Sequence, residues 1–335
     1  MLKVKLGVSV GDLNGIGLEI ILKTFKDQKI TNSCMPIVFG SSKLILNYKQ
    51  IIKFKDSNLH FIKNIKDAQE RKINIIDTLN DNVKLKIGKV CVDAGKNAFK
   101  SLQQATKALK EKEIDVLVTA PINKYTIQKE HKSFIGHTEF LENNFEGKSL
   151  MIMVSKKMKI AFVTSHIPLD KVKNFIFIEN IVDKSIKLHH SLIQDFGIRN
   201  PKIAILGLNP HAGENGLLGS DEKDQIIPAI KTLKNKNILA FGPFPADSFF
   251  TKKNLTNYDG ILSMYHDQGL TAFKTLSFND GVNYTAGLNI IRTSPVHGTA
   301  YEISGKGIAD EKSFKAAVYM AYNIYKKRSG FIKIK

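Results

Sequence analysis

Nine histidines are spread over the 335 residues, and three of them close an apolar run inside a polar turn. These are His166 in Val163-Thr164-Ser165-His166, His211 in Asn209-Pro210-His211-Ala212-Gly213-Glu214, and His266 in Met264-Tyr265-His266-Asp267-Gln268-Gly269. Neutral imidazole is the commonest metal ligand. Three imidazoles that leave a coordination position open make a catalytic metal site. The plain alternative for each is a hydrogen-bonded loop histidine. Their separations are long, and no short ligand motif decides between the two readings. His137 differs, because Gly136-His137-Thr138-Glu139 gathers three polar groups behind a glycine. That cluster suits substrate binding and equally a helix start. His60 and His131 sit among lysines with no partner visible, and His189 with His190 lies on a solvated helix face.

Three cations sit within or just past strand-end segments: Lys124, Lys274 and Arg292. The planar fork of arginine suits bidentate binding of phosphate or carboxylate. The alternative for each is a surface ion pair. Two glycine-rich turns invite a nucleotide reading. Gly11-Asp12-Leu13-Asn14-Gly15-Ile16-Gly17 follows a strand and precedes a helix, yet fits neither the dinucleotide fingerprint nor the P-loop. A tight turn that positions Asp12 is at least as good a reading. The second candidate, His297-Gly298-Thr299-Ala300 followed by Gly305-Lys306-Gly307, permits close backbone approach to a ligand. There is no nucleophile elbow and no cysteine with an evident histidine partner, so nucleophilic hydrolysis is poorly supported.

These groups need a scaffold, and the hydrophobic pattern supplies one. Strands are expected at Val4–Val10, Met35–Phe39, Ile73–Ile76, Lys89–Val92, Asp115–Thr119, Lys202–Leu206, Ile238–Phe241 and Gly260–Tyr265. Leu150–Ser155 and Lys159–Thr164 read as a hairpin. Helical spacing covers Leu18–Phe25, Ser42–Leu46 capped from Ser41, Gly95–Lys112, Ile178–Phe196, Asp221–Leu233 and Glu311–Lys327. Strands alternating with helices make an α/β protein with a largely parallel sheet and a locally antiparallel part. In such sheets ligands bind at the carboxyl ends of strands, where the polar clusters fall.

Composition narrows the classes. The length suggests two domains on a prior of roughly 150 residues each. No apolar run reaches the roughly 20 residues of a membrane helix. The start, Met1 to Lys5, alternates charge with apolar residues and reads as a first strand. Two cysteines rule out a disulfide scaffold and point to a reducing cytoplasm. The formal charge is +19, which admits a nucleic-acid-binding protein as an alternative. Only four of the 50 basic residues are arginines, however, and the lysines are scattered without a basic block. That pattern reads as compositional bias.

Taken jointly, the motifs resemble the 4-hydroxythreonine-4-phosphate dehydrogenase family of pyridoxal phosphate biosynthesis. The matching segments are Gly7–Asp12, Thr119–Lys124, Phe134–Glu139, Leu208–Glu214, Gly242–Asp247, Tyr265–Leu270, Ile291–Ser294 and His297–Ala300. They run in order from about residue 5 to 310. The first turn departs from the family's usual Gly-Asp-Pro-Ala-Gly-Ile-Gly-Pro-Glu at Leu13, Asn14 and Leu18, and Val296 stands where an Asp is usual.

The resemblance implies a fold like that of isocitrate and isopropylmalate dehydrogenases, with the active site in an interdomain cleft. It divides the chain into 1–127 plus 285–335 and 128–284, the second part carrying the interface of a homodimer that shares its active sites. It implies His166, His211 and His266 as ligands of one divalent metal, Zn, Co or Mg. Substrate contacts fall on His137, Thr138, Lys274, Asn283 and Arg292. Contacts to NAD or NADP fall on Asp247, His297, Gly298, Thr299 and Ala300. The general base is not readable from the motifs; Asp267 and Lys124 are the candidates. The implied reaction is oxidation of 4-phosphooxy-L-threonine. Relatives acting on 4-phospho-D-threonate or on aromatic cis-dihydrodiols are the alternatives, and the phosphate-contacting set disfavours the dihydrodiols.

Overall fold

The computed structural model describes residues 3–55, 58–79 and 84–332, with side chains described as far as residue 330. The first two residues of the expected opening strand, Met1 and Leu2, lie outside the described residues. The chain forms two compact units. The first runs up to Lys148 and takes in Leu288–Lys326; the second is Ser149–Gly287 with the segment from Lys327.

The first unit is a sheet of β1 (Val4–Ser9), β2 (Cys34–Gly40), β3 (Leu59–Ile62), β4 (Ile73–Asp77), β5 (Val116–Thr119) and β12 (Arg292–Pro295), in the order β3-β4-β2-β1-β5-β12. β1 pairs with β2 and β5 in parallel, and β12 pairs with β5 in parallel. Leu6, Val8, Val116 and Leu117 have no exposed surface. Parallel strands covered on both faces read as continuous apolar runs, which is why these strands are visible in the sequence. The helix Val92–Lys110 lays Ala94, Ala98, Leu102, Ala105 and Leu109 against the sheet. The expected strand at Lys89–Val92 does not form: Val92 is the first residue of this helix, and Val90 is 56% exposed. Asp93 in the first turn favours the helix N-terminus, and three or four alternating residues are too few to specify a strand. Residues 128–148, expected in the second domain, stay with the first unit. Phe134 and Leu141 are buried with Phe99, Leu102 and Ile127 in one apolar cluster, which anchors them there.

The second unit holds β6 (Gly147–Val154), β7 (Lys159–Phe162), β8 (Lys202–Leu206), β9 (Leu239–Phe244), β10 (Gly260–Ser263) and β11 (Val282–Leu288), in the order β11-β6-β7-β10-β8-β9. β6 and β7 form the expected antiparallel pair, and β7, β10, β8 and β9 run parallel. The helix Ile178–Gln194 packs closely at Gly260, where an added Cβ would lie 2.8 Å from a Leu192 methyl. Past this helix, the buried Asp195 accepts hydrogen bonds from Ser191 Oγ, Tyr284 Oη and Arg328 Nε, each at 2.7 Å. That cluster ties the last part of the helix Lys312–Ile332 to the second unit and explains Arg328, one of the four arginines.

Candidate active site

In the first unit, three strand ends bring polar groups together. β12 begins with Arg292, whose pairing with Leu117 sets its side chain beside the end of β5. The guanidinium is 2% exposed and donates from Nε and Nη2 to Thr119 Oγ1 at 3.1 and 2.6 Å. The surface ion pair considered for Arg292 is therefore overturned. Burial pulls its pKa down to about 9, against the opposing influence of Glu139, so it remains a cation at neutral pH.

Asn123 follows β5 and caps the helix Lys124–Gln128, its side chain accepting from Thr126 N–H. The backbone returns at Gly136, where an added Cβ would lie 3.2 Å from Lys124 Nζ and 2.9 Å from a Glu139 carboxylate oxygen. His137 opens the helix His137–Glu142, so the cluster is a helix start and a polar group in one. Its Nε2 is buried without a hydrogen-bond partner. Burial, then the charges of Arg292 and Lys124, hold its pKa well below 6.5. A neutral imidazole with an unspent ring nitrogen, between two cations, is suited to an anionic ligand. Thr138 is half-buried in the same helix.

The glycine-rich first turn is a docking surface for the chain. Gly11 has φ +68°, and an added Cβ would lie 2.2 Å from the Pro121 carbonyl oxygen. This conformation buries the Asp12 carboxylate, which accepts from Asn14 N–H at 2.9 Å and from Tyr301 Oη at 2.8 Å. Desolvation raises the Asp12 pKa. Ile16 N–H donates to Thr299 O at 3.0 Å, and the backbone of Thr299 lies against Gly15. The turn thus positions Asp12, which anchors the loop containing His297, Gly298, Thr299 and Ala300. His297 Nδ1 lies 3.1 Å from Gly298 O, its Nε2 has no partner, and burial lowers its pKa.

In the second unit, β7, β10 and β8 are followed by His166, His266 and His211. The rings of His166 and His266 are 5.7 Å apart, centre to centre. Asp267 Oδ1 lies 2.6 Å from His266 Nδ1, leaving Nε2 of that ring for another partner. The donor chemistry of this pair fits a divalent transition ion. Among the described residues, no three His, Cys, Asp or Glu side chains converge into a metal-holding group. His211 is exposed and has φ 50°. Lys274 is exposed in the last turn of the helix His266–Ser277, and Asn283 on β11 has a buried Oδ1 without a partner. Asp247 is exposed on the short helix Ala246–Phe249.

Of the remaining histidines, His131 packs on the Phe99 ring at 4.2 Å, a partner that the sequence did not reveal. His189, expected in solvent, has a buried Nδ1. Thr119, Glu139 and Tyr301 carry no individual role in the sequence reading, where Glu139 is only one of the polar groups behind Gly136. The first two lie within recognised motifs; Tyr301 meets Asp12 only through the fold.

Two α/β units, one with the buried Arg292 beside a strand end and the other with histidines after three of its strands, define the class: an α/β enzyme. Comparison with known proteins specifies it further. The chain belongs to the family of the pyridoxal phosphate biosynthetic protein PdxA, whose family model matches residues 32–321. It is 45% identical to a 4-hydroxythreonine-4-phosphate dehydrogenase of Bacteroides thetaiotaomicron, over 97% of this chain and 90% of that one. It is 39% identical to an Oceanobacillus iheyensis protein provisionally named D-threonate 4-phosphate dehydrogenase, over 95% of this chain and 97% of that one. The crystal structure of 4-hydroxythreonine-4-phosphate dehydrogenase from Klebsiella pneumoniae matches with a TM-score of 0.85 at 33% identity, covering 97% and 98% of the two chains. The mixed α/β fold and the family expected from the motifs are thereby established. No helix among the described residues is long and apolar enough to cross a membrane.

Proposed function

We propose that this chain is a dehydrogenase that oxidises 4-phosphooxy-L-threonine with NAD or NADP. The observation that carries the reading is the 45% identity to the Bacteroides enzyme over nearly the whole chain. The buried Arg292 beside His137, with the exposed Lys124 near that imidazole, supports it, since a guanidinium fork, an ammonium and a neutral donor suit a phosphate monoester. The reaction removes a hydride from the carbon bearing the secondary hydroxyl and a proton from its oxygen. The product, 2-amino-3-oxo-4-(phosphooxy)butanoate, loses CO2 to give 3-amino-2-oxopropyl phosphate.

In this reading Arg292, Lys274, Asn283, His137 and Thr138 bind and orient the phosphorylated substrate. His166, His211 and His266 would hold a divalent ion, Zn, Co or Mg, and Asp247 with His297–Ala300 the dinucleotide. Bound there, such an ion supplies Lewis acidity that lowers the hydroxyl pKa. The proton leaves to the Asp267 carboxylate, or to Lys124 Nζ where that group is the neutral amine, since an ammonium has no acceptor site. A homodimer in the cytoplasm, each subunit completing its neighbour's site, is the working form we assign.

The Oceanobacillus relative favours a second reading, 4-phospho-D-threonate as substrate. Both molecules present the same phosphate to Arg292, so the cation cluster does not separate them. The test follows reduction of NAD and of NADP with each substrate, before and after chelation. Turnover of 4-phosphooxy-L-threonine that chelation abolishes supports the first reading. Preference for the D-threonate ester supports the second, and indifference to both overturns the two together.

A further inference from the structure

We infer that Gln268 and Glu222 are positioning residues that set the spacing of the three histidine-bearing strand ends. This rests on the proposal that His166, His211 and His266 hold a divalent ion. Those histidines follow β7, β8 and β10, and each lies past the last residue of its strand, where the ladder no longer fixes the backbone.

Side chains join the last backbone bonds there. Gln268 Oε1 accepts from Met264 N–H at 2.7 Å, two residues before His266, and its Nε2 donates to Gly207 O at 2.6 Å, four residues before His211. Met264 O in turn accepts from Thr164 N–H at 3.1 Å and Thr164 Oγ1 at 2.8 Å, two residues before His166. One short chain of hydrogen bonds therefore crosses all three strand ends, with Gln268 at its centre.

Glu222 continues it. Its side chain is buried at 3% exposure, and its Oε1 accepts from Leu208 N–H and Asn209 N–H, both at 2.7 Å. Its Oε2 accepts from Asn209 Nδ2 at 3.0 Å. The backbone it grips enters a left-handed turn: His211, Ala212, Gly213, Glu214 and Asn215 have φ of 50°, 52°, 78°, 41° and 57°. Four of these five carry a Cβ, so the turn opposes their intrinsic preference and needs an external hold. Packing fixes the hold in place, since a Cβ on Gly213 would lie 2.5 Å from Glu222 Oε2. The direction in which His211 faces depends on this turn. Groups that orient metal ligands without touching the ion typically change metal affinity by about 10–100-fold when removed.

The test uses the full chain, stripped of metal and titrated with Co2+, whose visible absorption bands report both affinity and coordination geometry. Melting curves of the metal-free proteins are taken alongside. Gln268→Met and Glu222→Gln are expected to weaken Co2+ binding about tenfold and to change the band shape. Thr164→Val, which removes only the hydroxyl's bond to Met264 O, is expected to lose about two- to threefold, and it decides the matter if the other two do not fold. Wild-type affinity and bands in a folded variant of Gln268 or Glu222, or in Thr164→Val when that variant decides, overturn the proposal. His211→Ala separates the two levels. If the wild type takes up no Co2+, or His211→Ala binds it equally well, the metal assignment fails and the positioning role falls with it. If His211→Ala loses Co2+ while the positioning variants keep it, only the positioning role is overturned.

Discussion

Replacing Arg292 by Lys keeps a cation at the start of β12 and removes the planar fork. The guanidinium is 2% exposed, and its Nε and Nη2 are committed to Thr119 Oγ1 at 3.1 and 2.6 Å. That commitment holds the fork's plane before any ligand arrives. A lysine ammonium is a point charge on a flexible stem and cannot reproduce both directions. The expected loss is one charge-assisted hydrogen bond to the substrate phosphate, about 1.5–3 kcal/mol. That corresponds to a factor of roughly 10–150 in kcat/KM. The phosphate takes no part in the bond changes, so the loss should fall on KM more than on kcat. Steady-state kinetics with 4-phosphooxy-L-threonine measure the split. Arg292→Met should lower kcat/KM further without lowering Tm, because a buried cation carries a desolvation cost that methionine does not. Unchanged kinetic constants in Arg292→Lys, together with a collapsed Tm in Arg292→Met, would refute the reasoning and make Arg292 a structural residue.

Three further expectations follow from the same geometry. Inorganic phosphate should raise the Tm of the wild type and leave that of Arg292→Met unmoved, as differential scanning fluorimetry over a phosphate series would show. Below pH 6.5 the unfolded chain takes a proton at His137 that the folded chain refuses, since the folded pKa is depressed. Stability from this group is therefore complete above the unfolded value and declines as pH falls below it, by at most about 1.4 kcal/mol per pH unit. Denaturant unfolding between about pH 7 and about pH 5 should be flatter in His137→Asn, and an identical slope would remove His137 from the account. Gly11→Ala forces a Cβ into a backbone at φ +68° and to 2.2 Å from Pro121 O. The conformation alone costs about 1–3 kcal/mol, and urea midpoints near that of the wild type would contradict the tight-turn assignment.

The elements that the sequence revealed share a cause. β1, β2, β5, β8 and β10 are short apolar runs in a parallel sheet, and the helices Val92–Lys110 and Ile178–Gln194 carry a regular buried stripe. Burial on a fixed period leaves its mark in one dimension. Elements without that mark were missed. β12, Arg292–Pro295, is fully buried yet begins with arginine and ends with proline, and β3 is mostly half-exposed. The strand expected at Lys89–Val92 failed for the opposite reason, a brief alternation with no burial behind it. The formal charge of +19 was a poor guide, whereas two of the four arginines, Arg292 and Arg328, are tied into buried polar clusters.

By itself the sequence determined the alternation of strands and helices, the family and the residues able to do chemistry, because residue type and local spacing are properties of the chain. Only the tertiary structure decided which of those residues meet. It set Arg292 on Thr119, Tyr301 on Asp12 and Gln268 between the ends of β8 and β10. Arg292 and Thr119 are 173 positions apart in the chain, and Tyr301 and Asp12 are 289 apart. Hydrogen bonds act over about 3 Å, and no pattern within one segment encodes a partner that arrives from another strand.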